Sequence, residues 1–219
     1  MPLTIGGHEL RSTSIFEDQP EAREAYAENL EELDLEMLPQ PGPVGKLNDC
    51  LKLVQHPGHA VLSDHFLNHR NYAQFEGAQF VKLLYRKYIP AVLCTRYQEL
   101  IDDIRPYRRW IPSLTLPDEL DGDRFLIGIR ECLCEFADQF KPHRKPWRTQ
   151  IKVAEIWEEE KQFFVEIPAW GPTLVPLKFK GVTTQILEQI EEGWRTRAVV
   201  NLGAEALSDL YICEWEIPD

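Results

Sequence analysis

The sequence has no apolar run long enough to cross a membrane. Spanning a bilayer takes about twenty consecutive apolar residues, and every hydrophobic segment of this chain is much shorter. The first nine residues also lack the apolar core of a signal peptide. We therefore predict a cytoplasmic protein with no membrane partner.

Basic residues are scarce as well. The chain has 24 Lys and Arg against 36 Asp and Glu, for a formal net charge of −12. Because binding to nucleic acid depends largely on basic patches that neutralise phosphates, this balance predicts no nucleic-acid partner. One basic stretch, residues 141–148, is best interpreted as a solvated linker between domains.

Cysteine spacing excludes a disulfide framework. Five cysteines are scattered along the chain, and an odd count without regular spacing indicates reduced, buried thiols. Cys132 and Cys134 fall on different faces of a predicted helix, which is a poor arrangement for zinc. The sequence also contains no internal repeat and no low-complexity tract.

The composition is that of an ordinary globular protein, and 219 residues suffice for one large or two small domains. In the first 140 residues, short apolar runs alternate with helical patterns. The predicted strands are 14–16, 35–38, 60–63, 89–95 and 110–116, and the predicted helices are 21–33, 44–54, 78–88, 98–104 and 124–140. This alternation predicts an α/β fold, a five-stranded parallel, doubly wound sandwich.

The pattern changes at residue 141. Period-two strands are predicted at 150–156, 162–167, 174–179, 196–202 and 210–217, with one helix at 183–192. Strands of this kind predict a small, mostly antiparallel and barrel-like β domain with one short helix. We therefore expect two domains, residues 1–140 and 141–219.

Polar groups stand where three of the predicted parallel strands end. Glu17 and Asp18 follow the first strand, Asp64 the third and Thr95 the fourth. The carboxyl ends of parallel strands meet at one sheet edge, where open α/β sheets bind ligands. Clustered carboxylates repel one another and favour a hard cation such as Mg²⁺. A carboxylate held there can attack a phosphoryl group, and Asp64 is the candidate nucleophile.

In the order and spacing of these residues, about residues 10–140 resemble the receiver domain of response regulators in two-component signalling, the CheY-like fold. The resemblance implies that Glu17, Asp18 and Asp64 hold Mg²⁺. It also implies that Asp64 accepts phosphate from a histidine kinase or another phosphodonor and that Thr95 acts as the switch. An aromatic residue after the fourth strand often reports that switch, and Tyr97 stands nearby.

One residue of the family pattern is absent. The family places a lysine before a proline at the end of the fifth strand, and here the pair is Leu116-Pro117. The missing cation removes a charge-assisted contact worth about 1.5–3 kcal/mol. Arg96 is a possible substitute cation. Receivers without this lysine are often pseudo-receivers, which act as fixed interaction surfaces.

The resulting prediction is a two-component-type signalling protein rather than a turnover enzyme, whose β-rich C-terminal output or adaptor domain binds a protein partner. A homodimer is one of the oligomeric states left open. Two alternatives stay open: a phosphorylation-independent pseudo-receiver scaffold, and a Mg²⁺-dependent phosphatase. The phosphatase is weaker because Phe66 stands where such enzymes place a second aspartate. A transition-metal site of Asp64 with His65 and His69 is a further alternative.

Overall fold

The structure is a computed structural model that describes residues 3–54, 57–96 and 101–217. The helices and strands in chain order are β1 Leu3–Ile5, β2 His8–Leu10, β3 Ser12–Phe16, α1 Pro20–Asn29, β4 Glu36–Pro39, α2 Leu47–Val54, β5 His59–Asp64, α3 Gly77–Tyr85, β6 Ala91–Cys94, α4 Ile101–Ile104, β7 Leu114–Thr115, α5 Gly122–Phe136, β8 Trp147–Trp157, β9 Gln162–Ile167, β10 Gly171–Lys178, α6 Thr184–Leu187, β11 Arg195–Val200 and β12 Ile212–Cys213. In the part of the chain that is described, no helix is both long and apolar enough to span a bilayer.

The chain divides into two compact units. The first comprises Met1–Tyr97 and Trp110–Gln139, and the second comprises Gln98–Arg109 and Phe140–Asp219. The predicted domain boundary at residue 140 stays a prediction. The two units differ from the predicted domains in one respect: residues 98–109 belong to the second unit and not to the first.

The first unit is built on a five-stranded parallel sheet in the order β4-β3-β5-β6-β7. If these five strands are numbered 1 to 5 in chain order, their order across the sheet is 2-1-3-4-5, which is the order of CheY and flavodoxin. The predicted α/β fold class is confirmed: the sheet is five-stranded, parallel and doubly wound, with the CheY-like strand order.

The central strands are apolar on both faces because helices cover both sides of the sheet. Every residue of β5 and β6 is buried. Helix α5 begins at its N-cap Asp121, whose side chain accepts a hydrogen bond from the Arg124 N–H at 2.7 Å. Its Gly128 allows a close approach, since a Cβ there would lie 2.6 Å from the Val92 side chain.

A short hairpin precedes the sheet and is absent from the sequence prediction. Strands β1 and β2 pair antiparallel, with Ile5 opposite His8. The two loop residues are Gly6 and Gly7, at φ +54° and +84°. A two-residue hairpin loop with both φ values positive favours glycine, so the Gly-Gly pair was the available signal.

Several predicted elements are shorter in the structure. Strand β7 has two residues rather than seven, because Pro112 cannot donate to a sheet ladder and Arg105–Trp110 forms a 3-10 helix. Helix α2 begins at Leu47 because Gly45, at φ +73°, interrupts the chain before it. The predicted helix 98–104 is represented by α4, and residues 98–100 lie outside the described residues.

The second unit contains a five-stranded antiparallel sheet in the order β10-β9-β8-β11-β12. The sheet forms a curled half-barrel, which confirms the predicted small, mostly antiparallel and barrel-like β fold. Register shifts in the β8–β9 and β9–β10 pairs increase the local twist. The inward face is apolar, with Ile151, Phe163 and Val165 each no more than 1% exposed.

Residues 101–109 are held in this unit by buried guanidinium groups. Arg144 is 3% exposed and donates to the carbonyl oxygens of Arg108 and Arg109 at 2.9 and 3.0 Å. Arg105 is 2% exposed and donates to the Leu210 carbonyl at 3.2 Å. These charge-assisted hydrogen bonds make the segment part of the second unit.

Candidate functional site

The strand register brings the ends of three strands to one edge of the parallel sheet. Phe16 of β3 lies opposite Ser63 of β5, and Asp64 lies opposite Cys94 of β6. Glu17 follows β3 directly and Thr95 follows β6 directly. The predicted site residues of three strands therefore emerge on the same side of the fold.

A cavity of about 300 Å³ opens at this edge. It is lined by Glu17, Asp18, Gln19, Asp64, Phe66, His69 and Arg96. The three predicted carboxylates and the possible substitute cation thus share one cavity. Glu17, Asp18 and Asp64 are all at least nine-tenths buried, whereas Arg96 is exposed.

Glu17 is the most strongly perturbed carboxyl group of this cavity. Burial raises the pKa of Glu17 to about 8, and the negative charges of Asp64 and Asp18 add to the effect. The Gln19 N–H donates to its Oε1 at 3.0 Å, which lowers the pKa in part. Near neutral pH, a cation is needed to hold Glu17 in its charged form.

Asp64 is perturbed less, because backbone hydrogen bonds stabilise its charge. Burial raises the pKa of Asp64 to about 6, while hydrogen bonds from the Phe66 and His65 N–H groups and the charge of Arg96 oppose that rise. The Phe66 N–H lies 2.6 Å from Oδ2. At pH 7 the group is mainly a carboxylate, which is the nucleophilic form.

Gly77, the first residue of α3, packs directly against the backbone of Asp64. A Cβ at this position would lie 1.8 Å from the Asp64 carbonyl oxygen, so no side chain fits. The Gly77 N–H donates to the His65 carbonyl at 2.8 Å. This close packing fixes the backbone that carries the candidate nucleophile.

Thr95 brings a hydroxyl that has no partner within the described structure. The residue is 2% exposed, and its Oγ1 is buried without a hydrogen bond. Such a group costs about 1–3 kcal/mol of desolvation. Buried polar atoms without a partner are uncommon in native proteins, and a ligand or a water molecule can supply the missing partner.

Arg70 is a site residue that the sequence analysis missed. Its Nε lies 3.7 Å from Oδ2 of Asp18, and its side chain is 60% exposed. Its backbone has a φ of +51° and is followed by Asn71 at +57°. The loop position after Asp64 was the only sequence signal, and it does not distinguish Arg70 from its neighbours.

The carboxylate oxygens of this cavity are chemically suited to a hard cation. Three buried carboxylates, two of them with raised pKa values, are the oxygen ligands that Mg²⁺ takes. Within residues 3–54, 57–96 and 101–217, no group of three His, Cys, Asp or Glu side chains is arranged to hold a metal ion. Mg²⁺ commonly needs only one or two carboxylates with waters and phosphate oxygens, so the magnesium site stays a prediction.

Leu116 and Pro117 follow β7 at the same sheet edge. The Thr95 N–H donates to the Thr115 carbonyl at 3.0 Å, which connects this strand end to Thr95. Tyr97, the predicted reporter of the switch, lies outside the described residues.

Comparison with known proteins finds several similar solved structures. No family model and no curated protein matches the chain. A bacteriophytochrome response regulator is 20% identical with a TM-score of 0.44, covering 57% of this chain and 93% of its own. An uncharacterized protein from Neptuniibacter caesariensis is 17% identical with a TM-score of 0.44, covering 58% of this chain and 93% of its own. The fold assignment rests on the strand order of the parallel sheet.

Proposed function

We propose that the first unit is a phosphoacceptor receiver domain of a two-component-type signalling protein. The observation that supports this best is the convergence of Glu17, Asp18, Asp64 and Thr95 at one edge of a 2-1-3-4-5 sheet. A histidine kinase or a small phosphodonor would supply the phosphoryl group, and the second unit would bind a protein partner.

Asp64 is the nucleophile in the proposed reaction. One of its carboxylate oxygens forms a bond to the phosphorus atom of the donor, while the bond from phosphorus to the leaving group breaks. The leaving group departs with the bonding electron pair. Mg²⁺, held by Glu17, Asp18 and Asp64, would neutralise charge on the transferring phosphoryl oxygens.

The remaining polar groups of the site have assigned roles in this proposal. The Thr95 hydroxyl donates a hydrogen bond to a phosphoryl oxygen, which satisfies an atom that is otherwise buried without a partner. Arg96 lines the cavity and contributes positive charge, because it already lowers the pKa of Asp64. Arg70 stands beside Asp18 as a second source of positive charge.

A phosphorylation-independent pseudo-receiver is the second candidate function. Leu116 favours it, since the family lysine is missing from the end of the fifth strand. In that case the carboxylate cavity would bind Mg²⁺ weakly and would not carry a phosphoryl group. The second unit would then bind its partner in a fixed state.

Calorimetric titration with Mg²⁺ and beryllofluoride, a phosphoryl mimic, tests the proposal. Wild type should bind beryllofluoride only when Mg²⁺ is present, and Asp64→Asn should abolish binding. Asp138→Asn is the matched control, because Asp138 is exposed at φ +57°, a conformation that asparagine also accepts. Absence of binding to wild type would instead support the pseudo-receiver.

A further inference from the structure

The outer face of the antiparallel sheet in the second unit carries a group of cations. Strand β8 alternates, so that Ile151 and Val153 are buried while Arg148 and Lys152 face outward. Strand β11 places Arg195 and Arg197 on the outer face. We call Arg148, Lys152, Arg195 and Arg197 the basic face.

The strand register sets like charges opposite each other on this face. Arg195 is the direct cross-strand partner of Lys152, and Arg197 is the partner of Gln150. Like charges in such positions destabilise a sheet. The chain has 36 acidic residues and 24 basic ones. An acidic residue opposite Arg195 would stabilise the sheet more than Lys152 does.

Two of these four cations lack an ion pair within the described structure. Lys152 contacts Glu166 at 3.2 Å and Arg148 contacts Glu216 at 2.8 Å. Arg195 and Arg197 are exposed, and neither forms a salt bridge or a side-chain hydrogen bond to another described residue. Their guanidinium groups are therefore available to an external anion.

A groove runs along the basic face. It has a volume of about 820 Å³ and is lined by Arg148, Thr149, Gln150, Arg195, Thr196, Arg197, Glu216 and Ile217. Its lining comes from β8, β11 and the residues that follow β12. Arg195 and Arg197, which have no ion pair to another described residue, both line the groove from β11.

We propose that this groove binds an extended acidic segment of a protein partner, with acidic side chains at alternate positions. Residues two apart on a strand are about 6.6 Å apart, so an acid-x-acid segment matches the spacing of Arg195 and Arg197. The proposal rests on the proposed function in assigning a protein partner to the second unit, and it specifies the chemistry of that partner.

The charges around the groove favour a peptide over a nucleic acid. Glu216 lines the groove, Glu166 contacts Lys152, and Glu214 lies 3.7 Å from Arg148. A continuous polyphosphate would meet these carboxylates as well as the arginines, whereas a peptide can place its few acids at the unpaired cations.

Fluorescence anisotropy with the full chain tests this inference. The probe is a dye-labelled peptide of alternating glutamate and threonine, compared with a glutamine–threonine peptide of equal length. The test variant is Arg195→Glu with Arg197→Glu. The control is Lys161→Glu with Lys180→Glu, which makes the same charge change at exposed positions outside the groove lining.

Wild type and the control should bind the acidic peptide, and the test variant should bind at least about tenfold more weakly. Equal binding by both variants, or no preference for the acidic peptide, would overturn the proposal. Tighter binding of a single-stranded oligonucleotide that is also lost in the test variant would overturn it in favour of nucleic acid. Binding of the peptide does not involve Asp64, so this experiment can fail or succeed independently of the beryllofluoride titration.

A stability measurement keeps the inference testable if binding is too weak to follow. Arg195→Gln removes the like charge opposite Lys152, so it should leave the free energy of unfolding unchanged or raise it. Circular dichroism during urea denaturation measures this. A clear loss of stability would show that Arg195 has a structural role instead.

Discussion

Replacing Glu17 by glutamine should stabilise the metal-free protein at alkaline pH. The pKa of Glu17 rises from 4.5 to about 8 on folding, because burial and the charge of Asp64 disfavour its ionised form. A group whose pKa is raised in the folded state stabilises that state below its unfolded pKa, and this stability is lost as pH rises through the folded pKa. Stability should therefore fall between about pH 4.5 and pH 8.

The size of the effect follows from the shift. At about 1.4 kcal/mol per pKa unit, the shift corresponds to an upper limit of about 5 kcal/mol. Because the cavity opens to water, which screens the charge, we expect about 2–3 kcal/mol at pH 8.5. Glutamine keeps an oxygen that can accept the Gln19 hydrogen bond, so the change removes mainly the charge.

Urea denaturation at pH 5 and pH 8.5, with EDTA and with Mg²⁺, measures this prediction. Glu17→Gln should resemble wild type at pH 5 and exceed it at pH 8.5 in EDTA, and Mg²⁺ should remove most of the difference. Glu24→Gln, an exposed position on α1, is the matched control. If Glu17→Gln is less stable than wild type at pH 8.5 in EDTA, the electrostatic reasoning is wrong.

The polar groups of both units give four further predictions. Mg²⁺ binding at pH 7 should release close to one proton, because Glu17 is mainly protonated before the ion binds; calorimetry in buffers of different ionisation enthalpy measures this. Thr95→Val should raise the free energy of unfolding by about 1–2 kcal/mol, since it removes an unpaired buried hydroxyl, and should weaken beryllofluoride binding in calorimetry. Leu116→Lys should tighten beryllofluoride binding by about tenfold, because it restores a charge-assisted contact, and an unchanged affinity would contradict the role given to that position. Arg144→Met should destabilise the second unit by about 2–4 kcal/mol in urea denaturation by leaving two carbonyls unpaired, whereas the exposed Arg148→Met should cost under about 1 kcal/mol.

The parallel sheet could be predicted from the sequence because its strands are apolar and bounded by polar residues. Ala60–Leu62 and Ala91–Cys94 are continuous apolar runs, and such runs are typical of buried parallel strands. Their ends carry Asp64 and Thr95, so the sheet edge with the site could be predicted as well. Local pattern and tertiary structure agree in this part of the chain.

Features that depend on long-range contacts could not be predicted. Residues 98–109 follow β6 in sequence, yet Arg144 hydrogen-bonds the carbonyls of Arg108 and Arg109 from more than thirty residues away. The contact of Arg70 with Asp18 depends on two residues with positive φ, at Arg70 and Asn71, neither of which is glycine. Neither contact has a periodic signature in the sequence.

Covalent trapping of the phosphoryl group tests the central claim most directly. The full chain is incubated with Mg²⁺ and acetyl phosphate, reduced with borohydride and digested, and the modified residue is located by mass spectrometry. Borohydride converts an aspartyl phosphate to homoserine, so the peptide should carry homoserine in place of Asp64, and Asp64→Asn should show none. Modification at another residue, or none in wild type at millimolar Mg²⁺, would contradict the assignment of Asp64 as the phosphoacceptor.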